Sequence, residues 1–307
     1  MKNRTVVGIG TVLLAAMLWG TTGTAQSLLP GGLPSHWVGA LRLLVSAAFF
    51  GVYVGAGSAT GPGGRFHGLR WGWVALAGAS MAAYNLTFFA GVRASSVAVG
   101  TAIALGSGPI WAGLLQMAVA RRAPAAVWWL GTSLAVAGGS LMVLGGAQRL
   151  RISMAGVGLC LAAGVSYAVY TLVSKRLVVR TSASIVTLCV FSCAALIAVP
   201  LAWAVSGVPV ASTQAWWIVA YLGVVATGLA YLLFTHALTR VSGSTAVSMC
   251  LFEPLTAFCL AILVIGERPP AAAFAGMALV LLGLALVVRA ELRSPANMAR
   301  QEGSFDG

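Results

Sequence analysis

Residues 183–206 read ASIVTLCVFSCAALIAVPLAWAVS, a continuous apolar stretch without one charged side chain. The hydrocarbon core of a bilayer is about 30 Å thick, and a helix of roughly 20 apolar residues spans it. This stretch therefore predicts a transmembrane helix. It decides the fold class, because the rest of the chain has the same character.

The composition excludes a soluble protein. Hydrophobic residues make up 60% of the 307 residues and charged residues only 7%, whereas a soluble domain carries about a quarter charged residues. The 38 glycines and 11 prolines are spread through the apolar stretches, as is typical of membrane helices. Soluble enzymes and disordered modules are thereby excluded.

The same length criterion identifies ten spans joined by short connections, which leave no room for a sizeable soluble domain. The first span follows Lys2 and Arg4 and lacks a convincing small-residue cleavage site, so we interpret it as an uncleaved helix and not as a signal peptide. The predicted fold class is an all-α membrane protein. The spans lie near residues 6–28, 35–57, 70–91, 95–120, 125–146, 153–174, 183–206, 214–237, 242–265 and 271–289.

The excess of 18 Lys and Arg over 5 Asp and Glu has two interpretations. A nucleic-acid-binding domain concentrates its basic side chains in a solvated patch, but here they lie in short gaps between apolar runs. Lys and Arg are retained on the cytoplasmic side, and most of the 18 lie on one side if the N-terminus is cytoplasmic. We therefore expect both termini in the cytoplasm of a bacterial inner membrane, and no nucleic-acid partner.

The two halves of the chain match each other, so that spans 3–5 correspond to spans 8–10. Matching residues recur at nearly constant spacing: Tyr84 with Tyr231, Arg93 with Arg240, Pro109 with Pro254, Gly131 with Gly276, and Gly138 with Gly283. Since each half has an odd number of helices, the second half enters the bilayer from the opposite side, which predicts inverted repeats. We expect the repeats at residues 1–150 and 151–290, followed by a cytoplasmic tail at 291–307.

Inverted repeats suit transport, because the two halves can exchange conformations and open a central site to each side in turn. The alternative is an ancient duplication kept only for packing. Glycine and alanine at helical spacing, as in spans 4 and 5, allow close approach of helices and are interpreted as scaffold.

Three short motifs carry a family resemblance: Leu41-Arg42-Leu43-Leu44 in span 2, Glu253-Pro254 in span 9, and Gly266-Glu267-Arg268 before span 10. They resemble the pattern of the EamA-type drug/metabolite transporter superfamily, and within it the YddG-like aromatic amino-acid exporters. The resemblance implies a central cavity lined by spans 1, 3, 4, 6, 8 and 9, and alternating access without ATP. The first half departs from the pattern where Arg121-Arg122 replaces the Gly-Glu pair, because this loop faces the cytoplasm, where positive charge is favoured.

Glu253 is the carboxylate near the centre of a predicted span. An ionisable group there costs several kcal/mol unless it is paired, protonated or facing water, which makes it a functional candidate. Pro254 removes a backbone donor and can free carbonyls for a ligand or water. Glu253 could hold a substrate ammonium or carry a coupling proton, and the alternative is a protonated side chain satisfied by a neighbour such as Ser248.

Aromatic and polar side chains deep in the spans complete the candidate site. Aromatic rings stack on ligands, and Tyr and Trp also donate hydrogen bonds, whereas the alternative for each ring is packing within the bilayer. The predicted substrate-binding residues are Trp19, Tyr84, Asn85, Trp111, Tyr167, Tyr231, His236 and Glu253. For an amino-acid substrate, Glu253 would bind the ammonium and Asn85, His236 or Trp19 the carboxylate.

Arg42 and Glu267 are expected to have structural roles. Arg42 lies about two turns into span 2, within snorkelling reach of the interface or of a neighbouring carbonyl. The negative charge of Glu267 would stabilise the N-terminus of span 10.

The sequence lacks the residues that ATP hydrolysis or metal catalysis requires. There is no P-loop pattern, the sole aspartate is Asp306, and the three histidines are far apart. The five cysteines fall in apolar stretches, as expected for packing residues. We predict no cofactor, no bound metal and no enzymatic activity.

The predicted function is secondary export of small amphipathic metabolites, specifically aromatic or other neutral amino acids, by a monomer in the lipid bilayer. Coupling to protons is left open. A channel-like facilitator and an exporter of other metabolites or drugs are the alternatives. A membrane-embedded enzyme is disfavoured, because one central carboxylate has no evident acid-base partner.

Overall fold

The computed structural model describes residues 2–29, 33–58, 66, 68–95, 97–121, 123–145, 152–266 and 269–293. Within these ranges it contains ten helices long and apolar enough to cross a membrane, and no β-strand. Glu267, Arg268 and residues 294–307 lie outside the described ranges. The helices are α1 (Lys2–Ser27), α2 (Ser35–Tyr53), α3 (Trp71–Ala94), α4 (Val97–Ala120), α5 (Ala126–Gly145), α6 (Met154–Arg180), α7 (Ala183–Ser206), α8 (Thr213–Ala237), α9 (Gly243–Val264) and α10 (Ala271–Arg293).

The crossing of α5 and α10 displays the inverted symmetry of the two halves. Gly131 lies against the backbone of Gly283, and Gly138 lies against the backbone of Gly276. Gly131 thus contacts the repeat mate of Gly138, and Gly138 contacts the repeat mate of Gly131. The two helices run antiparallel past each other. A two-fold axis that relates the halves produces this reciprocal pattern, because the same surface then meets its own copy. The fold is therefore an all-α membrane fold of two inverted five-helix repeats.

Helices α8 and α9 are irregular near the middle of the bundle. Residues Val224–Leu229 form a π-helical turn in α8, where the Thr227 hydroxyl donates to the Leu222 carbonyl over 2.7 Å. In α9 a 3₁₀ turn at Cys250–Phe252 directly precedes Glu253 and Pro254. Because proline has no backbone N–H, the regular hydrogen-bond ladder is interrupted there, as the sequence predicts.

Glu291 joins the end of α10 to the start of α9. Its buried carboxylate accepts hydrogen bonds from the Ser242 backbone N–H at 2.8 Å, the Ser242 hydroxyl at 2.9 Å and the Thr245 hydroxyl at 2.6 Å. A carboxylate at a helix N-terminus satisfies backbone donors and complements the helix dipole. We expected the tenth span to end near residue 289, but α10 continues to Arg293 and so brings Glu291 into the bundle.

The end of the bundle that holds the N-terminus is tightly packed. An ideal Cβ on Gly8 of α1 would lie 2.7 Å from the Arg240 Cβ, in the connection between α8 and α9. The Lys175 ammonium of α6 donates to the Leu238 carbonyl at the end of α8. Together with Glu291, these contacts hold α1, α6, α8, α9 and α10 close together at this end.

Candidate functional site

Trp19 of α1 lies in the middle of an aromatic cluster. Its ring centroid is 4.8 Å from that of Tyr231, 5.4 Å from that of Phe234 and 6.5 Å from that of Tyr167. Tyr84 of α3 extends the cluster, with its centroid 5.2 Å from that of Tyr167. These separations and tilted orientations are favourable for aromatic pairs. Four of the predicted site residues, from α1, α3, α6 and α8, therefore meet at one place.

Two further rings that were not among the predicted site residues close one side of the cluster. The Tyr170 and Phe191 centroids lie 5.8 Å and 4.8 Å from that of Tyr231, and both side chains are fully buried. Phe191 belongs to α7, whose sequence is apolar throughout, so no local signal distinguishes it from its neighbours. Tyr170 and Phe191 therefore pack against Tyr231 and fix the position of its ring.

Trp111 lies beside the cluster. Together with Tyr167 it packs against the buried group of Ala112, Ala168 and Val247. It therefore lies on the α4 side of the same region, with Tyr167 shared between the two groups.

Asn85 and His236 use their donor groups within their own helices. The Asn85 amide nitrogen donates to the Met81 carbonyl over 3.0 Å, and the His236 Nδ1 lies 2.9 Å from the Leu232 carbonyl oxygen, to which it donates. His236 follows Tyr231 by five residues, which places it about 140° around the helix from that ring. The hydrogen bonds of these two polar groups thus lie within their own helices.

Trp19 carries a buried donor without a partner. Its side chain is 6% exposed, and its indole N–H has no hydrogen-bond acceptor in the described part of the chain. An unsatisfied buried donor costs about 1–3 kcal/mol. A ligand that accepts this hydrogen bond would recover part of that cost.

The backbone of Glu253 meets α1 at Gly20, the residue that follows Trp19 in the chain. An ideal Cβ on Gly20 would lie 2.8 Å from the Glu253 carbonyl oxygen, so α9 and α1 are in close contact here. The Glu253 side chain keeps accessible surface, and Arg42 is a charged group near it. The alternative interpretation expected Ser248 to satisfy the Glu253 carboxylate. The Ser248 hydroxyl instead pairs with that of Thr132 over 3.1 Å.

Arg42 is directed into the bundle, where it contacts a hydroxyl of a neighbouring helix and not the interface, one of the two positions that the sequence left open. Its Nε donates to the Thr227 hydroxyl over 3.0 Å, in the π-helical turn of α8. Tyr84, Tyr231 and Glu253 lie near its guanidinium. A guanidinium has five N–H donors, and the hydrogen bond that Arg42 makes within the described part of the chain uses the one on Nε.

The side chains of Arg42 and Glu253 are surrounded by protein and yet retain accessible surface, as do those of Tyr84 and Tyr167. These side chains combine aromatic rings with one cationic and one anionic group. Such an arrangement suits the binding of a small amphipathic molecule. Within the described ranges, no three His, Cys, Asp or Glu side chains are grouped as metal ligands.

Comparison with known proteins agrees with this geometry. The model of the EamA-like transporter family matches residues 6–144 and 154–289, one segment in each half. The "Uncharacterized transporter YwfM" of Bacillus subtilis (strain 168) is 38% identical over 280 residues, which cover 90% of this chain and 92% of that protein. A protein of known crystal structure shares the fold with a TM-score of 0.78 at 19% identity, over 95% of this chain and 99% of its own. The chain belongs to the EamA-like transporter family.

Proposed function

We propose that this transporter exports aromatic and other neutral amino acids by alternating access around the aromatic cluster, with both termini in the cytoplasm of a bacterial inner membrane. The narrower resemblance to YddG-like exporters belongs to the same proposal. The single observation that carries it is the aromatic cluster that Trp19 forms with Tyr231 and Tyr167.

The chemistry of the cluster matches an amino acid with a large apolar side chain. Apolar side chains gain roughly 25 cal/mol for each Å² removed from water, and aromatic side chains gain further from ring contacts. The Glu253 carboxylate attracts an ammonium group, and it is more strongly attractive in a protein interior than in water. One binding region thus combines an apolar wall with a charge complementary to an amine.

The inverted repeats support alternating access, because two halves of similar fold and opposite orientation can exchange conformations. At the end that holds the N-terminus, α1, α6, α8, α9 and α10 are joined through Arg240, Lys175 and Glu291. Alternating access requires these contacts to open in one part of the cycle.

Flux measurements in proteoliposomes test the proposal. Reconstituted protein should show saturable flux of L-phenylalanine or L-leucine, measured with radiolabelled substrate against protein-free vesicles. Saturable flux of neither amino acid would overturn the proposed substrate class. Acceleration of labelled efflux by unlabelled substrate on the opposite side is expected for alternating access, and its absence would favour a channel-like facilitator.

The Glu253→Gln variant tests the role of the carboxylate. It keeps the size and the hydrogen-bonding groups of the side chain but removes the negative charge, so we expect weaker transport with a folded, monodisperse protein. Glu291→Gln is the control for the effect of a lost buried charge on stability, because this second buried carboxylate lies at the end of α10, away from the cluster. Unchanged kinetics in Glu253→Gln would remove Glu253 from the proposed site.

A further inference from the structure

We propose that Arg42 binds the carboxylate of the substrate, so that Arg42 and Glu253 together select a zwitterion. This inference rests on the proposed function and names the recognition chemistry of the same site. It replaces Asn85 and His236 as the expected carboxylate donors, since both donate to carbonyls of their own helices.

The hydrogen bonds of Arg42 fix its guanidinium and leave its terminal nitrogens available. The Nε–H is used by the Thr227 hydroxyl at 3.0 Å, and Thr227 is itself held by its bond to the Leu222 carbonyl. The side chain is therefore anchored at one edge in the π-helical turn of α8. The opposite edge presents parallel N–H groups, the geometry that binds a carboxylate through two hydrogen bonds.

Charge considerations point to a substrate group and not to Glu253 as the permanent partner of Arg42. The two side chains interact electrostatically, yet no direct ion pair joins them among the described residues. Each charge would be costly in the membrane interior without a nearby opposite charge. They stabilise each other at a distance, and a zwitterion placed between them supplies a contact partner to each.

The zwitterion also explains why the site contains both signs of charge. A substrate with an ammonium and a carboxylate adds no net charge to the site when it binds. An amine alone would leave Arg42 without a contact partner, and an acid alone would do the same to Glu253. Both would therefore bind more weakly than the amino acid, although all three share the same apolar group for the aromatic cluster.

Competition between L-phenylalanine and two analogues tests the inference on the wild-type protein. Phenethylamine lacks the carboxylate and 3-phenylpropionate lacks the ammonium. We expect each analogue to inhibit labelled phenylalanine uptake roughly 10- to 100-fold more weakly than phenylalanine does, the effect of losing a charge-assisted hydrogen bond. Equal inhibition by phenethylamine would overturn the role assigned to Arg42, and this arm needs no variant to fold.

The Arg42→Gln variant tests the same point by a change of preference. It should weaken binding of phenylalanine but not of phenethylamine, so that the two ligands inhibit about equally. Arg42→Lys, which keeps the charge but loses the planar pair of donors, should give an intermediate preference. Equal weakening of both ligands in Arg42→Gln would show a merely structural role and overturn the inference.

Thr227→Val separates positioning from binding. It removes the hydroxyl that anchors Nε but keeps the charged guanidinium, so the preference for phenylalanine over phenethylamine should fall less than in Arg42→Gln. A loss of preference as large as in Arg42→Gln would contradict direct binding by Arg42. If the wild type shows no saturable flux of phenylalanine or leucine, the proposed function fails and this inference with it; flux without the expected preferences refutes the inference alone.

Discussion

Replacing Gly138 of α5 by alanine should destabilise the protein, because α10 leaves no room for a methyl group at this position. An ideal Cβ on Gly138 would lie 2.5 Å from the Gly276 carbonyl oxygen and 2.7 Å from the Val280 nitrogen. Ordinary contacts of a Cβ begin near 3.4 Å, so the helices would have to separate by about 0.9 Å (3.4 − 2.5). Both obstacles are backbone atoms, which cannot rotate away.

The expected loss of stability follows from two opposing effects. Overpacking of this kind costs about 1–3 kcal/mol, and rigid obstacles favour the upper part of that range. Alanine offsets up to about 1 kcal/mol of it through its higher helix propensity. The net loss should therefore be about 1–2 kcal/mol.

Gly158→Ala in α6 is the matched control. Gly158 is exposed and no heavy atom lies within 4 Å of its ideal Cβ, so alanine there gains helix propensity without overlap. Thermal unfolding of the purified proteins in detergent, followed by tryptophan fluorescence, should give a lower midpoint for Gly138→Ala than for the wild type and an unchanged or higher midpoint for Gly158→Ala. A midpoint for Gly138→Ala equal to or above that of Gly158→Ala would refute the assigned packing.

Three further changes have defined outcomes. Glu291→Ala removes the acceptor of three hydrogen bonds from Ser242 and Thr245. It should lower the free energy of unfolding by about 2–4 kcal/mol, and Glu291→Gln should lower it less. Equal thermal unfolding midpoints for Glu291→Ala and the wild type would contradict this. Trp19→Phe keeps a ring and removes an unpartnered N–H, so its unfolding midpoint should not fall. Trp19→Ala should lower the free energy of unfolding by about 3–5 kcal/mol. Similar midpoints for the two variants would argue against the packing of this ring. Tyr84→Ala should weaken phenylalanine binding by roughly 3- to 10-fold and leucine binding less, measured by competition for uptake; equal effects on both would show that the ring makes no aromatic contact with the substrate.

The fold could be predicted from sequence because membrane helices are specified locally. The length and apolarity of a stretch such as residues 183–206 suffice to identify a span, whatever it packs against. The inverted symmetry could be predicted from matched residues such as Gly131 and Gly276, because a duplicated sequence with an odd number of helices admits one orientation of its second half. The end of α10 was less predictable, since Glu291 is a charged residue that only the packing of α9 makes part of the bundle.

The site could be predicted in part. Residues whose type and depth in the span mark them as candidates could be predicted, whereas contacts between residues far apart in sequence could not. Aromatic residues far from the interface are unusual enough to be candidates, and four of them meet in the structure. The direction of Arg42 could not be predicted, because it depends on Thr227, which is distant in sequence and lies in a π-helical turn with no recognised local signal. Asn85 and His236 each donate to a carbonyl of their own helix, a local contact that their residue types alone do not reveal.

The site combines symmetric and asymmetric parts, and this division bears on how a substrate is held during transport. Tyr84 and Tyr231 are repeat mates and both belong to the aromatic cluster, whereas the repeat mate of Glu253 is Gly108. If the two halves exchange conformations, the tyrosines exchange surroundings and an aromatic wall is present in both states. The carboxylate remains on α9 in either state, so under the proposed function the ammonium of the substrate keeps one partner throughout the cycle. An asymmetric charge on a symmetric scaffold would then allow the two ends to open in turn while the substrate stays bound at one place.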